Sequence, residues 1–294
     1  MSVLKARPSG IHIGVIGGSG LYEMEGLTKV KNIKLKTPFG LPSGPFVTGT
    51  LEGRRICFLS RHGSGHKLLP SEINYRANIF GMKMLGVERI ISVSAVGSMR
   101  ENIEPGHLVI PDQFFDHTRQ RKSTFFGDGI VAHVSFAHPI CEDLSSQLFQ
   151  AGKEIGAQIH KGGVYLCMEG PQFSSKAESL MYRKWGVDVI GMTNVTEAKL
   201  SREAEICYST IALATDYDCW HEEEAHVSVE SVIKILSQNV ALSKKLIKQA
   251  VPNMGAVKKC SCGSALKDTI ITSKKAIPAQ TKKKLKLLIQ KYIR

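Results

Sequence analysis

The chain has 294 residues, 43% of them hydrophobic and 22% charged. These values exclude a disulfide-stapled miniprotein and a disordered or collagen-like chain, and leave one large α/β domain or two smaller ones. Thirty-nine Lys and Arg against 26 Asp and Glu give a formal charge of +13, which raises nucleic acid, a membrane surface or an anionic substrate as partners. The charge is unevenly spread. Residues 255–294 carry 11 basic side chains and one acid, Asp268, whereas residues 1–254 carry 28 and 25. The body is close to balance, and the excess belongs to the tail.

No segment reads as a secretory signal, and no run approaches the roughly 20 apolar residues of a membrane span. Seven Cys, an odd number, lie mostly within apolar stretches. That pattern fits free thiols in a reducing cytoplasm.

The predicted elements alternate. Residues 11–16 read as an apolar strand ending in Gly17-Gly18-Ser19-Gly20, and residues 20–51 as an irregular stretch. Residues 55–60 form a strand running into Arg61 and His62. Residues 71–85 read as a helix with Ser71 as N-cap and Ile73, Ala77, Phe80 and Met84 on one face. A buried-type strand covers 89–94, a helix 140–156, a strand 163–167, a helix 175–185 and a strand 187–191. A helix over 198–204, a strand over 206–215 and a long amphipathic helix over 228–250 follow. Strands separated by helices predict an α/β three-layer sandwich, a central mixed twisted sheet flanked by helices.

Chemistry gathers where strands end, because ligands of open α/β sheets bind beyond the strand C-termini. The glycine turn at Ser19 could expose N–H groups to a phosphate, yet it is neither a dinucleotide fingerprint nor a P-loop, and an empty tight turn fits as well. Arg61 suits bidentate phosphate recognition, while the bland alternative is a surface Arg beside two structural histidines, His62 and His66. Ser94-Ala95 and Met192-Thr193 close two further strands. Asp216 and Asp218 face one side of an extended segment. They could hold a cation together with His221 and Glu222 to Glu224, share a proton toward a heteroatom, or form an exposed acidic loop.

Seven stretches in order carry a resemblance: residues 16–21 (IGGSGL), 60–63 (SRHG), 70–78 (PSEINYRAN), Gly97-Ser98 with Pro105-Gly106, 168–178 (MEGPQFSSKAE), 191–198 (GMTNVTEA) and 214–220 (ATDYDCW). Over roughly residues 11–252 the chain resembles the trimeric purine nucleoside phosphorylase superfamily and, within it, the methylthioadenosine branch. The resemblance implies phosphorolysis of S-methyl-5'-thioadenosine to adenine and 5-methylthioribose 1-phosphate by a cytoplasmic homotrimer. Inorganic phosphate would be the co-substrate, with no cofactor and no metal. It implies phosphate among Ser19, Arg61, His62, Ser94, the Ala95 N–H and Thr193. It places Phe173 against the purine, Met192 near the ribose, Asp216 at purine N7 and Asp218 at the 6-amino group. His66, His133, Val229 and Val232 would border the 5' pocket, the counterpart of His133 coming from a neighbouring subunit. Relatives that prefer inosine or guanosine carry Asn where this chain has Asp216. A broader purine nucleoside phosphorylase remains the nearest alternative.

The division expected is a catalytic domain over 1–254 and a basic extension over 255–294. In the extension, Cys260-Ser261-Cys262 is too small for a zinc site, which usually wants four ligands. Free thiols, a strained disulfide such as some relatives carry, or a metal shared across subunits remain open. Residues 282–294 predict a terminal helix with Leu285, Leu288, Ile289, Tyr292 and Ile293 on one face, docked on its own body or a neighbour, or lying on a membrane surface. A nucleic-acid-binding role would rest on this tail alone, without the aromatic interleaving such surfaces use.

Overall fold

The structure, a computed structural model, describes residues 11–18, 21, 23–221, 229–255 and 259–293, with the backbone alone for 11 and 229–234. Its strands are β1 (Ile11–Gly17), β2 (Thr28–Ile33), β3 (Phe46–Leu51), β4 (Arg54–Ser60), β5 (Arg89–Ser98), β6 (Leu108–Ile110), β7 (Gln113–His117), β8 (Ile159–Lys161), β9 (Val164–Met168), β10 (Val189–Gly191) and β11 (Cys207–Asp216). Its helices are α1 (Tyr75–Met84), α2 (Glu142–Glu154), α3 (Lys176–Lys184), α4 (Asn194–Glu203), α5 (Val229–Ala250) and α6 (Ala279–Ile289).

All strands join one mixed sheet. Its main path runs β2-β3-β4-β1-β5-β10-β9-β7, and β11, β6 and β8 branch from β5. The apolar strands are continuous because both faces are covered. In β1 and β4, Ile13, Val15, Ile56 and Phe58 pack with Leu144, Leu148, Leu246 and Ile247 of α2 and α5. Their alternates Ile16, Cys57 and Leu59 pack with Ile79, Phe80, Ala198 and Leu200 of α1 and α4. The period of two sorts one strand onto two helix layers, which confirms the three-layer expectation.

Several boundaries differ from the sequence reading. Helix α1 starts four residues late, because Asn74 rather than Ser71 caps it by accepting from the Ala77 N–H at 3.1 Å. The supposedly irregular segment after β1 holds β2 and β3. Five of the six β2 residues are exposed, so this edge strand shows no apolar signal. Helix α4 begins at Asn194, one turn earlier than expected.

Helix α6 sits on its own chain. Leu285, Leu288 and Ile289, with Leu266 and Ile277 of the same tail, join the core cluster of α1 and α4. Thr281 donates to the Asp128 carbonyl at 2.6 Å. The Tyr292 hydroxyl donates to Glu205, and the Lys291 ammonium stands 3.5 Å from the same carboxylate. Lys283 and Lys286 point to solvent. Among the described residues, no helix is long and apolar enough to cross a membrane.

Candidate active site

The branching of the sheet at β5 makes the site. On one side β5 pairs with β11 from Arg89 to Gly97. On its other side it pairs with β1 only as far as Ser92, and with β10 only from Gly97. Residues 93–96 therefore have no strand on that side. A cavity of about 560 Å³ opens there, lined by the ends of β1, β5, β10 and β11, the loop after β4 and one flank of α5.

One end of the cavity is built around Arg61. Its side chain is 3% exposed and bonds Glu197 of α4 through Nε to Oε1 at 2.5 Å and Nη2 to Oε2 at 3.2 Å. Nη1 donates to the Val93 carbonyl at 3.0 Å and Nη2 to Ser92 Oγ at 2.6 Å. Ser92 and Tyr208 donate in turn to Glu197 Oε2, at 2.8 and 2.9 Å. Burial works against the Arg61 cation, but the Glu197 carboxylate outweighs it and holds the guanidinium above its ordinary value. The pair is formally neutral. Among the described residues, one Nη1 hydrogen is left for a guest. Thr193 lines the same end and is the N-cap of α4 without a side-chain cap bond, so the first-turn N–H groups of that helix favour an anion.

His62 lies beside Arg61. Its Nδ1 stands 2.8 Å from the Leu68 carbonyl, so in the neutral ring Nδ1 carries the proton and Nε2 accepts. Burial, reinforced by the Arg61 cation, pushes this imidazole down to about 4, although the Leu68 carbonyl pulls the other way. His66 stacks on it, ring centroids 4.2 Å apart.

The opposite end holds two carboxylates. A register shift between Ala214 and Asp216 against β5 marks a bulge at the close of β11, which re-aims the last side chain. Asp216 Oδ2 accepts from Thr215 Oγ1 at 2.7 Å, and Oδ1 from the Asp218 N–H at 2.9 Å. Asp218 has φ +52°, a strained left-handed conformation. It is held by Ser179 of α3, whose hydroxyl donates to Oδ2 at 2.5 Å, and by the Trp220 indole, which donates to the Ser98 carbonyl at 2.8 Å. Gly97 packs closely here: a Cβ would lie 3.1 Å from Asp216 Oδ1 and 3.3 Å from the Asp218 Cβ, so any larger residue would press both carboxylates aside by a few tenths of an ångström. Burial, with Asp216 adding to it, raises the proton affinity of Asp218.

Ten of the sequence-predicted residues meet in this one cavity: Arg61, His62, His66, Ser94, Ala95, Phe173, Met192, Thr193, Asp216 and Asp218. Phe173 stands 83% exposed at its mouth. Ser19 lies outside the described residues, as do the side chains of Val229 and Val232. Leu236 and Val240, further along α5, line the wall instead. His133 is exposed and away from its own chain's cavity, its N–H donating to the Thr269 carbonyl.

Several positioning residues escaped sequence reading. Glu197 is one. Arg121 is another, donating to the Met192 carbonyl at 3.1 Å, the Tyr75 hydroxyl at 2.7 Å and Glu169 at 2.8 Å. Ser179 is the third. Each acts through a partner 39 to 136 residues distant, and none carries a local sequence signal.

The reading of Cys260-Ser261-Cys262 as too small for a zinc site weighed Cys260 and Cys262 alone. The fold brings Cys141 and Cys207 to them, and among the described residues these four form the one group of three or more His, Cys, Asp or Glu able to meet at a single ion. Asp216, Asp218 and His221 form no such group.

Residues 12–252 match the family model described as Phosphorylase superfamily. The S-methyl-5'-thioadenosine phosphorylase of Geobacter sulfurreducens is 63% identical over 282 residues, covering 96% of this chain and 99% of the relative. That of Koribacter versatilis is 56% identical over 280 residues, covering 95% and 96%. A crystal structure of a methylthioadenosine phosphorylase from an antarctic soil metagenomic library superposes with a TM-score of 0.91 at 48% identity, covering 95% of this chain and 99% of that one. The Schistosoma mansoni methylthioadenosine phosphorylase in complex with tubercidin gives 0.80 at 33% identity, covering 87% and 96%. With the Asp216–Asp218 pair and the Arg61–Glu197 pair lining one cavity, these likenesses establish that the chain belongs to the S-methyl-5'-thioadenosine phosphorylase family of the phosphorylase superfamily.

Proposed function

We propose that this chain cleaves S-methyl-5'-thioadenosine with inorganic phosphate. The observation that carries the reading is the division of one cavity into an anion-binding end and a carboxylate end. Phosphate occupies the first, held by the free Arg61 N–H, the α4 N-terminus at Thr193, Ser94 and the Ala95 N–H, with Ser19 assigned by family resemblance. Neutral His62 accepts a hydrogen bond from a phosphate O–H through Nε2.

The purine lies at the second end, under Phe173. As the C1'–N9 bond breaks, its electron pair passes into the purine and positive charge builds at C1'. A phosphate oxygen forms the new bond to C1', oriented by the groups that hold the anion. Asp216, fixed by two donors, acts in its protonated form and delivers its proton to purine N7 as the base takes up the electron pair, and Asp218 accepts from the 6-amino group. The products are adenine and 5-methylthioribose 1-phosphate. The nucleophile, the proton and the positioning all come from phosphate and named side chains, so no cofactor enters the steps.

Met192, anchored by Arg121, borders the ribose. Leu236, Val240 and His66 border the 5' group, with Val229 and Val232 assigned to the same wall. An apolar wall disfavours an unpartnered 5'-hydroxyl by about 1–3 kcal/mol, so methylthioadenosine is preferred to adenosine by roughly ten- to a hundredfold.

We also read the enzyme as a cytoplasmic homotrimer. Phe173 leaves the mouth of the cavity open, and exposed His133 is free to complete a neighbour's 5' pocket. Seven unpaired thiols fit a reducing compartment. Sedimentation at micromolar concentration should give three chains per particle; a monomer contradicts this. The catalytic reading is tested by adenine release with and without phosphate, the sugar product followed by phosphorus NMR. Adenine release should require phosphate and yield a sugar 1-phosphate. Equal release of free sugar without phosphate would refute it.

A further inference from the structure

The tail enters the body at a group of four cysteines drawn from three places. Cys141 is the N-cap residue of α2. Cys207 is the first residue of β11. Cys260 and Cys262 lie where the basic tail begins. The Cys141 N–H donates to the Tyr208 carbonyl at 2.9 Å, so the first two sites are fixed to each other by the backbone. All four Sγ atoms lie within 4.8 Å of one another, with Cys207 and Cys260 at 3.4 Å. No pair is bonded.

Geometry and chemistry both suit one ion. Four sulfurs at about 2.3 Å from a tetrahedral centre stand about 3.8 Å apart, within the spread seen, whereas a disulfide needs about 2.05 Å. The set is all sulfur, which selects a soft or borderline metal over calcium or magnesium. It is closed, with no position left for water or substrate, as in structural zinc sites. Cys141, Cys207 and Cys262 are buried among apolar side chains of the α2–α5 layer. Such a place tolerates anionic sulfur only with a cation to neutralise it.

We propose that Cys141, Cys207, Cys260 and Cys262 bind one zinc ion that pins the start of the C-terminal tail to α2 and β11. The site stands at the opposite end of β11 from Asp216, about 30 Å away along ten residues of strand. Its role is therefore to hold structure, and it takes no part in bond cleavage.

The test uses the full chain, reconstituted with zinc under reductant and freed of excess metal. Elemental analysis should find about one zinc per chain. Cobalt(II) in its place should give an intense thiolate-to-metal charge-transfer band. Cys260→Ser with Cys262→Ser should abolish both and lower Tm, with phosphorolysis by the folded fraction retained. Less than about half an equivalent of zinc in the reduced wild-type chain, or no charge-transfer band with cobalt, would overturn the proposal. So would zinc bound undiminished by the double serine variant. A thiol count of three rather than seven in the chain as isolated would assign the cluster to two disulfides instead.

Discussion

The two ends of the cavity handle buried charge in opposite ways. At the end proposed to take phosphate, a buried cation is cancelled by a buried carboxylate, Arg61 against Glu197. An arriving anion then meets N–H groups and a helix terminus rather than a bare positive charge. At the end proposed to take the purine, two carboxylates stand together and, among the described residues, meet neutral donors from Thr215, Ser179, Cys219 and the Asp218 N–H. Like charges crowded in a buried place retain a proton. The first end is suited to positioning a polyanion without trapping it. The second is suited to supplying or sharing a proton as a base departs.

The largest effect should come from unbalancing the phosphate end. Glu197→Gln leaves the buried Arg61 cation without its counter-charge, and breaking such a pair costs about 3–5 kcal/mol. Thermal unfolding should shift down by several degrees, and the KM for phosphate should change while the preference for 6-amino purines is kept. An unchanged Tm would mean the pair contributes nothing to the fold. A smaller effect should follow at the purine end. Ser179→Ala removes a donor to Asp218, a hydrogen bond to a charged group worth about 1.5–3 kcal/mol. Its kcat/KM for methylthioadenosine should fall roughly tenfold with the KM for phosphate unmoved. If instead phosphate KM rose, the two ends would not be separable.

The smallest effect is one of pH. Burial and Asp216 raise the proton affinity of Asp218, so lowering pH protonates it earlier than an ordinary carboxylate. Protonated, it donates rather than accepts, and an O–H facing the base favours a 6-oxo over a 6-amino group. The methylthioadenosine-to-inosine preference should therefore narrow as pH falls and widen as it rises. His62, held at about 4, stays neutral down to mildly acidic pH and does not contribute to that trend. A preference that is flat with pH would show that Asp218 does not face the 6-position.

What was readable in sequence and what was not follows from range. The strand ends were legible because a run such as Ile-Cys-Phe-Leu-Ser stops abruptly at Arg61, and the polar residue after a buried strand marks the ligand edge. Residues 28–33 were not, because an edge strand exposed on both faces has no apolar period to read. Asn74 displaced Ser71 as a cap because its carbonyl oxygen reaches the Ala77 N–H while its amide ties the Phe39 carbonyl at 2.8 Å, a tertiary contact. Glu197 lies just before the helix expected over 198–204 and carries no signal of its own. Only the sheet brings it to Arg61, 136 positions away. The same holds for the cysteines: Cys260 and Cys262 looked like half a site, and their partners were two unremarked buried residues far upstream. Four of the tail's eleven basic residues, Lys282, Lys283, Lys284 and Lys286, lie on α6, whose inner face completes the core.

The Asp216–Asp218 pair is proposed to read the purine as its bond to the sugar is broken by phosphate. Steady-state phosphorolysis of methylthioadenosine and of inosine, by the wild-type chain and by Asp216→Asn, tests it most directly. The wild type should favour methylthioadenosine by about a hundredfold or more, and the asparagine variant should lose most of that preference along with roughly a hundredfold or more of its rate on the 6-amino substrate. A ratio of the two substrates left unchanged by Asp216→Asn would contradict it.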